Sequence, residues 1–172
     1  TGPQVIVDCT PLPLAARARQ FRDGIDVAVP SVRRVAPSEV SPRAKTHNYL
    51  NLILADKEVK SHSPQAWSLL LDERGNLCEG IGSNVFVVRR GELFSPPEGI
   101  LMGITRQTVF ELAAEHGIPA REAQLTAYDL YAADEVFATS TAGGIMPLVE
   151  IDGRPIGNGK PGPVSERIHG LY

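Results

Sequence analysis

Apolar and polar positions change over in short runs punctuated by glycine and proline, a pattern that predicts many short elements of both kinds. Residues 5–9 are mostly apolar and are closed by Pro11 and Pro13, which predicts a strand. Residues 15–24 are basic and polar up to Gly24, with no element predicted. Residues 25–29 and 32–35 alternate with period two, as half-buried strands do. Ser41-Pro42, a hydroxyl followed by proline, predicts a helix start. Tyr49, Leu50, Ile53, Leu54 and the stem of Lys57 then fall on one face of a helix over residues 49–59. Residues 67–71 form an apolar strand ended by the turn-rich stretch 72–76. Residues 85–88 and 92–94 flank Arg89-Arg90-Gly91 as a hairpin. Thr105 is a candidate cap for a helix with Val109, Leu112, Ala113 and His116 on one face, stopped by Gly117 and Pro119. A short helix over 126–131, strands over 135–140 and 148–151, a turn at Asp152-Gly153 and a last helix from Gly162-Pro163 to Tyr172 complete the chain. The class is α/β, with mixed α+β character.

The 172 residues suit one domain, or one domain and part of another. Composition is that of an ordinary globular chain: 42% hydrophobic, 22% charged, with a formal net charge of -3. That charge gives no reason to expect a nucleic-acid partner. No apolar run approaches the ~18 residues of a membrane span. The two cysteines, Cys9 and Cys78, are too few for a disulfide framework and point to a reducing cytoplasm. No Cys/His spacing suggests a metal site. The chain opens at Thr1-Gly2-Pro3, without Met, directly before an apolar run, so the expectation is a fragment of a longer protein.

Four separated segments carry candidate chemistry. Lys45 lies beside a helix start among bulky neighbours, where a desolvated amine would form a Schiff base; taken alone, a single lysine reads first as a solvated surface charge. Glu79 lies at a Gly-flanked bend between strands, suited to pairing with a cationic ring nitrogen or to being an ordinary loop acid. Residues 99–106 lead through a glycine-containing turn into a helix N-terminus, where free N–H groups favour phosphate, though a plain capped helix fits too. Residues 139–144 leave a strand as a small, hydroxyl-rich turn, either an anion contact or a simple strand end. Together, a lysine, an acid and two phosphate-type anchors are what an enzyme needs to hold pyridoxal phosphate.

With these segments the sequence resembles the fold-type IV pyridoxal-phosphate enzymes, the class IV aminotransferases, including branched-chain and D-amino acid aminotransferases. Glu79 to Phe86, Gly103 to Arg106, and the ending from Asp152-Gly153 through Lys160-Pro161-Gly162-Pro163-Val164 carry the resemblance. It implies the C-terminal pseudo-barrel cofactor domain of the D-amino acid aminotransferase-like fold, over residues 25–172. Residues 1–24 would be the end of an N-terminal domain, otherwise largely absent, and the connection from it. It implies pyridoxal 5'-phosphate as cofactor. Lys45 would form the internal aldimine and shuttle the proton. Glu79 would pair with the pyridine nitrogen and Leu101 pack on the ring. Ile104, Thr105, Ser140 and Thr141 would hold the phosphate, and Thr141 and Ala142 receive the substrate carboxylate. Tyr49 lies slightly nearer the lysine than the cofactor-contacting tyrosine of branched-chain enzymes, and it is left out of this set.

The implied function is transfer of an amino group between an amino acid or amine and a 2-oxo acid, by a cytoplasmic homodimer with no metal. The alternatives are an aminodeoxychorismate-lyase-like elimination on the same lysine, or a non-catalytic cofactor-binding fragment. His47, His62, His116 and His169 have no spacing that suggests a metal or a triad.

Overall fold

Among the described residues nine strands join one sheet, and four of the five helices pack against it. A computed structural model describes residues 2–172, and Thr1 lies outside the described residues. In chain order the elements are α1 (Leu14–Asp23), β1 (Ile25–Ala28), α2 (Leu50–His62), β2 (Trp67–Leu71), β3 (Leu77–Gly80), β4 (Asn84–Arg89), β5 (Glu92–Ser95), α3 (Ile104–Glu115), β6 (Ala120–Glu122), α4 (Ala127–Tyr131), β7 (Glu135–Ser140), β8 (Gly144–Ile151), β9 (Arg154–Pro155) and α5 (Pro163–Leu171). The strand order is β3-β2-β1-β8-β7-β4-β5-β6, with β9 paired to β8.

This order forces the sheet to curl. In a flat sheet, five inter-strand steps of about 4.8 Å would put β3 roughly 24 Å from β4. Only residues 81–83 separate the two strands, and the four Cα steps from Gly80 to Asn84 reach at most about 15 Å. The sheet therefore closes toward itself at that turn, where Gly80 and Ser83 form an isolated bridge. This is the expected pseudo-barrel.

The central strands are buried on both faces, which is why their sequences read as continuous apolar runs. Along β4, Val85 and Val87 enter one core cluster with Val136, Ala138, Met146 and Leu148. Phe86 and Val88 enter the other with Phe137, Ile145, Val109, Ala113 and Ile168. Phe86 stacks on Phe137 at 5.1 Å between ring centroids.

Several expectations need correction. Residues 2–13 carry no regular element, and Val5, Ile6 and Val7 are more than four-fifths exposed: a lone apolar run does not become a strand without a partner to pair with. The unpredicted α1 follows, rich in alanine, leucine and arginine, and ends at Gly24 with φ 84°. Residues 32–35 are not a strand. Arg34 N–H donates once to Leu71 O and Val35 N–H is taken by the Asn51 side chain. Ser41-Pro42 sits in turns, and α2 begins only at Leu50. The helix is there, but its buried face is Leu52, Ala55 and Val59; Leu50, Ile53 and Leu54 face outward, since the small Ala55 allows close approach to β2. The N-cap of α3 is Gly103, so Thr105 lies inside the first turn, buried, and His116 is exposed.

Candidate active site

The turn that closes the curl is one wall of a cavity of about 300 Å³, at the lower end of the ~300–1,000 Å³ usual for small-molecule sites. The other walls are the 40–49 segment, the approach to α3, and the end of β7. Lys45, Glu79, Leu101, Ile104, Thr105, Ser140 and Thr141 all line it. Residues scattered widely along the chain thus meet in one space. Ala142 does not: it is exposed within the turn between β7 and β8, and its carbonyl accepts from the Arg17 guanidinium.

Glu79 is the buried charge of the site. It stands on β3, 6% exposed. Its Oε1 accepts from Arg34 Nε at 3.0 Å and its Oε2 from the Leu101 N–H at 2.9 Å. Burial pushes its pKa above the ordinary carboxylate range, against the pull of the Leu101 N–H, Arg34 and Lys45. Its neighbour Cys78 points into the interior; burial, helped by Asp72 and Glu79, raises its thiol to about 12, which leaves it inert as a nucleophile.

Lys45 stands at the cavity rim, exposed rather than desolvated as the sequence suggested, because the 43–48 segment is an open loop with little packed over it. Its Nζ lies 3.4 Å from the Tyr49 hydroxyl. Tyr49, set aside on spacing, is therefore a cavity residue beside the lysine. Arg34 was not singled out by sequence; nothing in Val32-Arg33-Arg34-Val35 distinguishes it from Arg33 until Glu79 is seen next to it.

Two anion-friendly features face the same space. The first N–H groups of α3, on Ile104 and Thr105, have no acceptor within the helix, and the helix dipole adds positive potential there. Across the cavity, β7 and β8 join through residues 141–143. The Ser140 Oγ accepts from Gly143 N–H at 2.9 Å and keeps that turn tight. Ile104 and Thr141 are exposed to the cavity side, whereas Thr105 is buried. Thr139, in the 139–144 segment but not among the assigned site residues, also belongs to the cavity wall, and its Oγ1 is buried with no hydrogen-bond partner. A buried hydroxyl left unpaired is costly, so the site is built for a polar ligand. An exposed amine, a buried carboxylate, a helix N-terminus and an orphaned hydroxyl suit the amine-reactive, cationic and phosphate parts of pyridoxal phosphate.

No helix among the described residues is long and apolar enough to cross a membrane.

Comparison with known proteins shows the family. The branched-chain-amino-acid aminotransferase of Escherichia coli K12 is 41% identical over 171 residues, covering 98% of this chain and 55% of the relative. The crystal structure of the Escherichia coli enzyme superposes with a TM-score of 0.84 at 42% identity, over 88% of this chain and 50% of that one. The branched-chain amino acid aminotransferase of Thermobaculum terrenum, solved in its PLP-form, gives a TM-score of 0.84 at 34% identity, over 90% of this chain and 52% of that one. The chain thus spans about half the length of the relatives it matches. The family model described as amino-transferase class IV matches residues 1–151, and the chain belongs to the class IV aminotransferases.

Proposed function

We propose that this chain is the cofactor-holding part of a pyridoxal-phosphate-dependent aminotransferase that moves an amino group between an amino acid and a 2-oxo acid. Residues 25–172 are the cofactor domain and residues 1–24 the connection into it. The observation that carries the reading is the meeting of Lys45, the Arg34–Glu79 pair and the two anion-friendly turns around one cavity. Relatives named as branched-chain aminotransferases support aliphatic amino acids as donors.

Pyridoxal phosphate, when bound, supplies an aldehyde that condenses with a primary amine and a ring that takes up the electron pair left when a carbon loses its proton. The residues of the chain do the rest. Lys45 Nζ is the primary amine that would hold the aldehyde, and the base that would take and return the proton at the α-carbon of the donor. Such proton transfer is worth about 10²- to 10⁴-fold in rate. Tyr49 orients that amine. Glu79 would be the carboxylate partner of the ring nitrogen, and Leu101 would pack on the ring. Ile104 and Thr105 N–H groups, with Ser140, Thr141 and the Thr139 hydroxyl, hold phosphate oxygens. Thr141, at the cavity wall, would receive the substrate carboxylate, whereas Ala142 lies outside the cavity and is not assigned that role.

The finer reading is a homodimer in the cytoplasm. Sedimentation of the full-length protein tests the assembly. Borohydride reduction of the full-length protein with pyridoxal phosphate, followed by peptide mapping, tests the reading itself. Label on Lys45 supports it; label on another lysine, or none, overturns it. A donor screen with 2-oxoglutarate then reads the transfer, and release of pyruvate without an amino acceptor would reveal a lyase instead.

A further inference from the structure

The residue between the two proposed phosphate turns is Asn84, the first residue of β4. Its amide Nδ2 donates to Leu101 O at 2.8 Å. Leu101 O can only accept, so the amide nitrogen is the atom that faces it. The opposite side of the same residue, the Leu101 N–H, is held by Glu79 Oε2. Leu101 is thus fixed at both its N–H and its carbonyl by side chains from either side of the 81–83 turn. Two residues later α3 begins. A Cβ on Gly103 would come within 2.1 Å of Asn84 Oδ1, so glycine is what lets the N-terminus of α3 seat against the asparagine. The backbone of Asn84 pairs with Thr139, next to the Ser140–Thr141 turn. Asn84 is itself only 5% exposed. One buried side chain therefore grips the first anchor while its own backbone belongs to the second.

We infer that Asn84 is a positioning residue that sets the distance between the α3 N-terminus and the β7–β8 turn, and thereby the affinity for the phosphate group; this rests on the reading given above. Residues 99–103 lie outside any helix or strand and include Gly99 and Gly103. Without the Asn84 bond they have one less tie to the sheet, and the N–H groups of Ile104 and Thr105 lose their fixed aim.

The test titrates the full-length apo-protein by calorimetry with pyridoxal phosphate and, separately, with pyridoxal, which lacks the phosphate. Three proteins are compared: wild type, Asn84→Ala and the uncharged, near-isosteric Asn84→Leu, which keeps the volume but cannot donate to Leu101 O. Pyridoxal phosphate affinity is expected to fall about tenfold or more in both variants. Pyridoxal affinity should change by less than about twofold, within the span of a small surface effect. An equal loss for both ligands, or no loss for either, overturns the proposal. So does failure of both variants to fold, which would make Asn84 a residue of the fold alone; if only the alanine variant unfolds, Asn84→Leu decides. A wild type that does not hold pyridoxal phosphate at all defeats the functional reading first, and the role of Asn84 with it.

Discussion

Arg34 and Glu79 form an ion pair of 3.0 Å, Nε to Oε1, with their side chains only 12% and 7% exposed. The pair joins two segments 45 residues apart. It supplies a fixed positive charge to a carboxylate that burial would otherwise drive toward its neutral form. Removing one member of a buried pair leaves the other uncompensated, at a cost of about 3–5 kcal/mol. Arg34→Ala should therefore lower the thermal midpoint markedly, with part of the loss relieved as Glu79 takes up a proton. Arg34→Lys, which keeps charge without the guanidinium geometry, should fall between. Thermal unfolding of the three proteins at one pH checks the order.

The same pair sets a pH dependence. The pKa of Glu79 in the folded chain lies above its unfolded value of about 4.3. The folded state thus binds this proton more tightly. The Glu79 contribution to stability is full below the unfolded value and declines as pH rises through the folded one. Cofactor retention runs the other way, because the protonated ring nitrogen needs an ionised partner. Visible absorption of the bound cofactor should be lost as pH falls through the Glu79 value. In Arg34→Gln, where one force lowering that value is gone, the loss should occur at higher pH. An acid limb that does not move on this substitution would show that Arg34 has no hold on Glu79.

Away from the cavity, Glu135 makes a second buried use of a carboxylate. Its two oxygens accept from the N–H groups of Val164 at 3.0 Å and Ser165 at 2.8 Å, and so cap α5 from β7. Gly162 lies against it so closely that an added Cβ would fall 2.1 Å from the Glu135 Cδ. Gly162→Ala should therefore cost more than the ~1 kcal/mol typical of an alanine at an ordinary N-cap, and should free α5 from β7. Urea unfolding measures the loss, and a midpoint equal to wild type would contradict the packing.

What the sequence made legible was local chemistry; what it hid was which side faces in. Periodicity located α2 but chose the wrong stripe, since Leu50, Ile53 and Leu54 follow helical spacing as well as Leu52, Ala55 and Val59 do, and only packing against β2 decides. The strands of the hairpin, β7 and the last helix carried their own turn signals and were readable from them. Lys45, Glu79 and the two anion turns were singled out by the chemistry of their own short segments, and they line one cavity. Arg34 was not singled out and Thr139 was not assigned to the site, because their meaning lies in distant neighbours or in an empty space. Curling of the sheet had to be known before residues 34, 79, 101 and 139 could be seen to share one cavity. No window along the chain contains that information.

Two buried hydroxyls among the described residues, Ser68 Oγ and Thr139 Oγ1, have no hydrogen-bond partner, and their positions separate two explanations. Thr139 lines the candidate cofactor cavity; Ser68 lies outside it. An unpaired buried hydroxyl costs about 1–3 kcal/mol, so removing either should stabilise the apo-protein. At roughly 2–4 °C per kcal/mol for a chain of this size, Thr139→Val and Ser68→Ala should each raise its thermal midpoint by a few degrees. Only Thr139→Val should also weaken pyridoxal phosphate binding, because only there does the ligand supply the missing partner. Thr139→Ser, which keeps the hydroxyl, should bind nearly as wild type does. If Ser68→Ala and Thr139→Val weaken binding alike, or Thr139→Val leaves it intact, the Thr139 hydroxyl is not a cofactor contact. The stability lost to an orphaned group would then have no functional return at this site.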